Sequence, residues 1–188
     1  HAFTASATAR VRRDIAEQLG LQDAVVLVGS FDRPNLTNRV LARHRGEAGI
    51  VYCTSRREVD ALSEWLKSEG ARALPYHAGL DDAQRHRNQD AFLNEDVDVV
   101  VATVAFGMGI DRSDVRFVVH AGAPRSLEHY QQESGRAGRD GLGAECVLIY
   151  SGGDFLKWRL MLEHAGELTE AARGTLRDME RYAAGVRC

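Results

Sequence analysis

The chain has 188 residues, 44% hydrophobic and 27% charged, with a net charge of -3 and only three cysteines. That balance excludes extended disorder, a collagen-like repeat and a disulfide scaffold, and it leaves enough chain for one full core. The apolar runs, such as Val99–Ala102, fall far short of the ~20 residues that span a bilayer, so no membrane partner is expected.

From Thr8, apolar residues at Val11, Ile15 and Leu19 recur at helical spacing and predict an opening helix stopped by Gly20. Ala24–Val28 and Gly49–Cys53 are short β-branched runs and predict buried strands. Arg56–Glu69 places Val59, Leu62, Trp65 and Leu66 on one helical face, with Gly70 as the stop and an extended segment over Ala71–Tyr76. A polar helix is predicted over Asp81–Asn94, a strand over Val97–Ala102, another over Val115–His120, a short helix over Ser126–Ser134 and a last strand over Ala144–Tyr150. Strands alternating with helices, and apolar enough to be covered on both faces, predict an α/β fold with a mostly parallel sheet. After Ser151-Gly152-Gly153 only helices are predicted, Asp154–His164 and Thr169 to about Val186, the second with a stripe of Ala172, Leu176, Met179, Ala183 and Val186. The expected division is 1–152 for the α/β domain and 153–188 for a short helical extension.

Ligands of open parallel sheets gather beyond the carboxyl ends of the strands. Four segments fall there: Cys53–Arg56, Tyr76–Gly79, Thr103–Asp111, and Ala121 onward to Asp140. In the last, Arg136 and Arg139 stand three apart among glycines at a helix end, a spacing that can aim two guanidinium forks at charge developing on a transferred phosphoryl group. The plainer reading is a surface turn whose arginines pair with Glu133, Asp140 or Glu145. In the Thr103–Asp111 loop, Gly107 and Gly109 flank Met108; Asp111 can accept from a ribose hydroxyl or hold an arginine, and Thr103 can donate to a phosphate. His77 either contacts a phosphate or caps the helix opening at Asp81. Ser55 and Arg56 either hold a phosphate at a helix N-terminus or, for Ser55, form an ordinary N-cap. Cys53 and Cys146 read as small buried hydrophobes, Trp65 and Trp158 as core.

The basic residues are almost all arginine, only Lys67 and Lys157 being lysine, which suits bidentate phosphate contact. No Gly-x-x-x-x-Gly-Lys-Ser/Thr occurs, and no Asp-Glu pair is present to hold magnesium, so the chain by itself cannot cradle a triphosphate. Arginine forks without a phosphate loop imply a second domain that carries one, with catalysis at the seam.

Six segments in order resemble the second RecA-like domain of RecQ-type superfamily 2 DNA helicases: Phe3–Thr8, Phe31-Asp32-Arg33-Pro34-Asn35-Leu36, Ile50–Arg56, Tyr76–Leu80, Val101–Asp111 and Gln132–Gly141. The resemblance implies a RecA-like, mostly parallel sheet with helices on both faces, in an enzyme that couples ATP hydrolysis to 3′–5′ movement on single-stranded DNA and to unwinding of duplex DNA. It implies that Arg136 and Arg139 reach the γ-phosphate of ATP, which is held with Mg2+ mainly by the first RecA-like domain, with Gln132 nearby. Gly109 and Asp111 would couple nucleotide to DNA, and Ser55, Arg56, His77 and Thr103 would touch the DNA backbone. It makes the terminal helices the start of a zinc-binding subdomain, with Cys188 the first of four cysteine ligands. With one ligand no metal site forms, and no zinc is expected in this stretch. The chain, which lacks an initiating methionine, reads as a piece of a longer polypeptide, inactive alone, working in a reducing bacterial cytoplasm at the nucleoid or in a nucleus. Two rivals stand beside this reading. One is an RNA helicase or chromatin-remodelling motor, disfavoured by Arg33-Pro34-Asn35-Leu36 and by Gly135–Gly141; the other is a non-catalytic binding module, separated from the enzyme by a phosphate loop upstream.

Overall fold

The apolar β-branched runs assemble into one sheet. A computed structural model describes Val40 and residues 42–107 and 110–185; the predicted opening helix and the Ala24–Val28 strand lie outside them. In chain order the elements are β1 Gly49–Tyr52, α1 Arg56–Ser68, β2 Ala73–Tyr76, α2 Asp82–Leu93, β3 Val99–Ala102, β4 Phe117–His120, α3 Leu127–Ser134, β5 Glu145–Leu148, α4 Gly152–His164 and α5 Glu170–Ala183. The five strands lie in the order β2-β3-β1-β4-β5 and every pairing is parallel.

Period two along each strand splits the core. Val51, Val101 and Val119 face one side with Val59 and Leu66 of α1, while Ile50, Val100 and Val118 face the other with Phe92 of α2. Helices therefore cover both faces, as the sequence predicts. The three inner strands are buried along their whole length, which is why they carry no polar alternation. Strand β5 is an edge, and there Cys146 is exposed. The expectation of a buried Cys146 is thus corrected: an edge strand covers only one side of its residues. Cys53, at the end of the central strand β1, is buried as expected.

Helix ends follow capping chemistry. Ser55 accepts from the Glu58 amide while Glu58 accepts from the Ser55 amide, Asp81 accepts from the Gln84 amide at 2.7 Å, and Gly70, at φ +84°, ends α1. Helix α4 starts two residues before the predicted Asp154, because Asp154 accepts from the Ser151 amide at 2.8 Å and so occupies the first turn. Helices α4 and α5 close a third cluster, in which Phe155 and Met179 meet Ala123, Leu127, Tyr130 and Leu148. Trp158 is half-buried and donates from Nε1 to the Ala123 carbonyl at 2.8 Å. No helix among the described residues is long and apolar enough to cross a membrane.

Candidate functional site

Parallel pairing sets the carboxyl ends of neighbouring strands side by side. The backbone continues the ladder one residue past the strands: Cys53 N–H donates to the Ala102 carbonyl at 2.8 Å, Thr103 N–H to Tyr76 at 3.1 Å and Ala121 N–H to Tyr52 at 2.8 Å. The loops after β1, β2, β3 and β4 therefore emerge along one rim.

On one part of this rim stand the residues expected to touch a DNA backbone. Ser55 is the N-cap of α1, so its hydroxyl is engaged in the helix. Arg56 is exposed and makes no ion pair with any described residue; its Cδ lies 3.1 Å from where a β-carbon on Gly79 would stand. A glycine at that turn leaves room for the arginine stem. His77 is buried, with Nε2 2.9 Å from Asp60 Oδ1 and Nδ1 accepting from the Gly79 amide at 3.0 Å. The alternative in which His77 caps α2 is corrected, since Asp81 holds that position; the imidazole instead braces its own turn. Thr103 is half-buried at the start of the next loop, beside Tyr76.

The arginines lie further along the same rim. The turn after α3 is shaped by Gly138, at φ +63°, whose amide donates to the Val115 carbonyl at 2.9 Å. Arg136 makes no ion pair with any described residue, and its Nε is buried without a hydrogen-bond partner. Its Nη2 rests where Gly107 lacks a side chain, 2.7 Å from the position of a β-carbon there. Tyr52 lies alongside: burial pushes its phenol pKa up, the Arg136 charge opposes that rise, and its hydroxyl donates to the Phe106 carbonyl at 3.0 Å. Arg139 is 39% exposed and donates from Nη1 to Asp111 Oδ1 at 3.2 Å and to the Ile110 carbonyl at 3.3 Å, while Asp111 is 91% exposed. Both arginines thus converge on the Thr103–Asp111 loop, and of the two roles open to Asp111 the structure realises the arginine-holding one. Gln132 is exposed on α3, one turn before Arg136. Gly109 and Cys188 lie outside the described residues.

The three carboxylates of the plainer reading are taken by other partners. Glu133 meets His120 Nε2 at 2.8 Å in the core, Asp140 takes Arg116 at 2.5 Å, and Glu145 takes Arg43 at 2.7 Å and His44 at 2.9 Å. The hydrogen bond from Arg116 holds the Asp140 carboxyl below its ordinary range. The turn is therefore not closed on itself by local ion pairs.

Several contributors are not singled out by the sequence. Arg112 is almost fully buried, pairs with Asp114 at 2.7 Å, donates to the Phe92 carbonyl at 2.6 Å and lies over the Phe92 ring at 4.7 Å, pinning the far end of the Thr103–Asp111 loop. In sequence it looks like one more solvated charge. Tyr52 reads there only as strand filler, and Lys157, one of two lysines, carries a signal only in its rarity. Among the described residues no three His, Cys, Asp or Glu side chains are grouped to hold a metal.

Comparison with known proteins bears on the family and the fold. Residues 32–141 match the family described as "Helicase conserved C-terminal domain". The chain is 47% identical over 167 residues to "ATP-dependent DNA helicase RecQ" of Pasteurella multocida, covering 82% of this chain and 26% of that protein. It is 45% identical over 177 residues to the protein of the same name from Bacillus subtilis, covering 87% and 30%. It is also 43% identical over 179 residues to "RecQ-like DNA helicase BLM" of Xenopus laevis, covering 86% and 13%. The chain therefore spans under a third of the length of these relatives. Among solved structures, a DEAD box protein of Methanococcus jannaschii superimposes with a TM-score of 0.60 at 22% identity, over 84% of this chain and 47% of that one, a likeness of fold. On these grounds the chain belongs to the helicase conserved C-terminal domain family, in its RecQ-type branch.

Proposed function

We propose that this chain is the second RecA-like domain of a longer ATP-dependent 3′–5′ DNA helicase, with Arg136 and Arg139 as its arginine fingers. The observation that carries the reading is Arg136: a guanidinium lodged over Gly107, with no carboxylate among the described residues to neutralise it. Such a group is available to an anion from a neighbouring domain. Arg139 is held by Asp111, but an exposed pair of this kind contributes only about 0–1 kcal/mol and exchanges readily for a phosphate. ATP with Mg2+ would sit on the first RecA-like domain, opposite this rim, with Gln132 beside it. Closure of the seam would bring both arginines onto the γ-phosphate, where they stabilise charge in the transition state.

The Thr103–Asp111 loop touches both arginines and borders the strand-end loops, which supports a coupling role for Gly109 and Asp111. Arg56, Thr103 and the loop capped by Ser55 would track the backbone of single-stranded DNA ahead of the duplex, while His77 shapes the turn beneath Arg56. Contacts to phosphate and sugar carry no base information, as movement along any sequence requires. The division at residue 152 is part of this reading, with α4 and α5 opening the next subdomain. Any zinc site of the longer protein would take its ligands mainly from elsewhere, Cys188 being the candidate this chain offers. The working compartment would be that of the DNA, nucleoid or nucleus.

The test is ATP turnover by the full helicase carrying Arg136→Ala or Arg139→Ala. Turnover should fall about 10³-fold, on the scale of known arginine fingers, with nucleotide affinity held within about threefold. Loss of nucleotide binding in step with turnover defeats the finger role. This chain alone should hydrolyse no ATP.

A further inference from the structure

The α4 helix is tied by polar contacts to two strand ends that belong to the rim. Asp154 Oδ2 accepts from the Ala123 amide at 3.2 Å, and Trp158 donates to the Ala123 carbonyl at 2.8 Å, so α4 is fastened just past β4. From the same turn Lys157 crosses to the loop after β1. Its Nζ donates to Thr54 Oγ1 at 2.6 Å and to Glu58 Oε1 at 2.8 Å.

The Glu58 carboxylate organises that loop. Its Oε2 accepts from the Thr54 amide at 3.1 Å, the Thr54 hydroxyl at 2.9 Å and the Ser55 amide at 2.9 Å. One oxygen thus gathers three loop donors while the other meets Lys157, the one cation paired with Glu58 among the described residues. Burial of Glu58 raises its pKa, and Lys157, Thr54 and Ser55 together more than reverse that rise. Thr54 is also pressed on its far side, since its Cγ2 is 2.7 Å from where a β-carbon on Gly122 would stand. The loop that launches Arg56 is therefore shaped by a carboxylate whose charge is balanced from the helical extension.

We propose that Lys157 is a positioning residue for the strand-gripping loop: by neutralising Glu58 and holding the Thr54 hydroxyl, it sets the angle at which Ser55 and Arg56 meet a single-stranded nucleic acid. The seat of α4 on the sheet is thereby coupled to the grip on DNA. The inference rests on the DNA-contacting role of Arg56 proposed above, and the experiment separates the two.

ATP turnover of the full helicase is measured against oligo-dT concentration, together with the salt dependence of oligo-dT binding. Lys157→Met should raise the half-saturating DNA concentration about five- to tenfold, with turnover at saturating DNA within about twofold of the parent, and Lys157→Arg should restore the parent value. The slope of log affinity against log salt should be unchanged in Lys157→Met, because Lys157 makes no phosphate contact, whereas Arg56→Ala should lower its magnitude by about one. If Lys157→Met does not fold, Thr54→Val reads the same link from the loop side, with the same expected shift. An unchanged half-saturation in Lys157→Met while Arg56→Ala is impaired overturns the positioning role alone, and so does a slope that drops as in Arg56→Ala. An Arg56→Ala variant with parental DNA affinity overturns the grip reading beneath it.

Discussion

Arg136 lies against Gly107, its Nη2 standing 2.7 Å from the place a β-carbon on that glycine would occupy. Residues 29 apart in sequence thus share one volume, and the smaller is small because the larger needs the space.

Replacing Gly107 with Ala should therefore move the guanidinium without unfolding the chain. The atom displaced is the far end of a flexible side chain, which must move aside to open the 2.7 Å approach to ordinary contact distance. On the finger role proposed above for Arg136, ATP turnover of the full helicase should fall roughly 10- to 100-fold, in line with the cost of misplacing a catalytic group by about an ångström. Steady-state kinetics alongside a melting curve check this: parental turnover in a folded Gly107→Ala variant refutes the contact's importance.

Gly49 gives the opposite case. It pairs in register with Phe117 across β1 and β4, and the Phe117 ring fills the space above it, its Cζ 1.9 Å from where a β-carbon on Gly49 would stand. Phe117 is fully buried and cannot swing out. Gly49→Ala should destabilise the domain by about 3 kcal/mol, at the upper end for overpacking a core. Urea unfolding of parent and variant measures the difference.

His44 gives a pH dependence. It sits between Glu47 at 2.5 Å and Glu145 at 2.9 Å, Glu145 being shared with Arg43, and its ring faces Phe117. Burial lowers its pKa, but the two carboxylates outweigh burial and the net shift is upward from 6.5. A raised pKa means the folded state holds the proton more tightly. The stabilisation is complete below pH 6.5 and is lost as pH rises through the folded value. Stability measured from about pH 6 to about pH 9 should decline more steeply in the parent than in His44→Gln, and parallel curves would exclude the role.

The two described cysteines should differ in reactivity. Cys146 is exposed on the β5 edge, while Cys53 is buried. Partial burial raises the Cys146 thiol pKa, so alkylation should be slow at neutral pH and accelerate in alkali. Peptide mapping after iodoacetamide treatment of the native protein should find Cys146 modified well before Cys53; modification of both together would contradict the edge placement.

Local rules make much of this fold legible. Ser55 with Glu58, Asp81 and Ser126 mark helix starts by their own chemistry, and Val99–Ala102 reads as a buried strand because nothing polar interrupts it. The Gly135–Arg139 turn declares two arginines among glycines. Cys146 is misleading in sequence because an apolar strand pattern does not say whether the strand lies at the centre or the edge of its sheet. His77 is misleading because Asp60, 17 residues upstream, is a partner no spacing rule identifies.

Sequence by itself determined the alternation of strands and helices, their caps, the absence of a phosphate loop and the candidate arginines, since each depends on residues within a turn or two of one another. Only tertiary structure decided which charges are spent and which are free. At the rim, Asp111 takes Arg139, His120 takes Glu133, Arg116 takes Asp140 and Lys157 takes Glu58, while Arg136 over Gly107 and Arg56 over Gly79 are among the described arginines that have no carboxylate partner among the described residues. Ion pairing depends on distances of a few ångströms, and those are set by the parallel register of strands far apart in the chain.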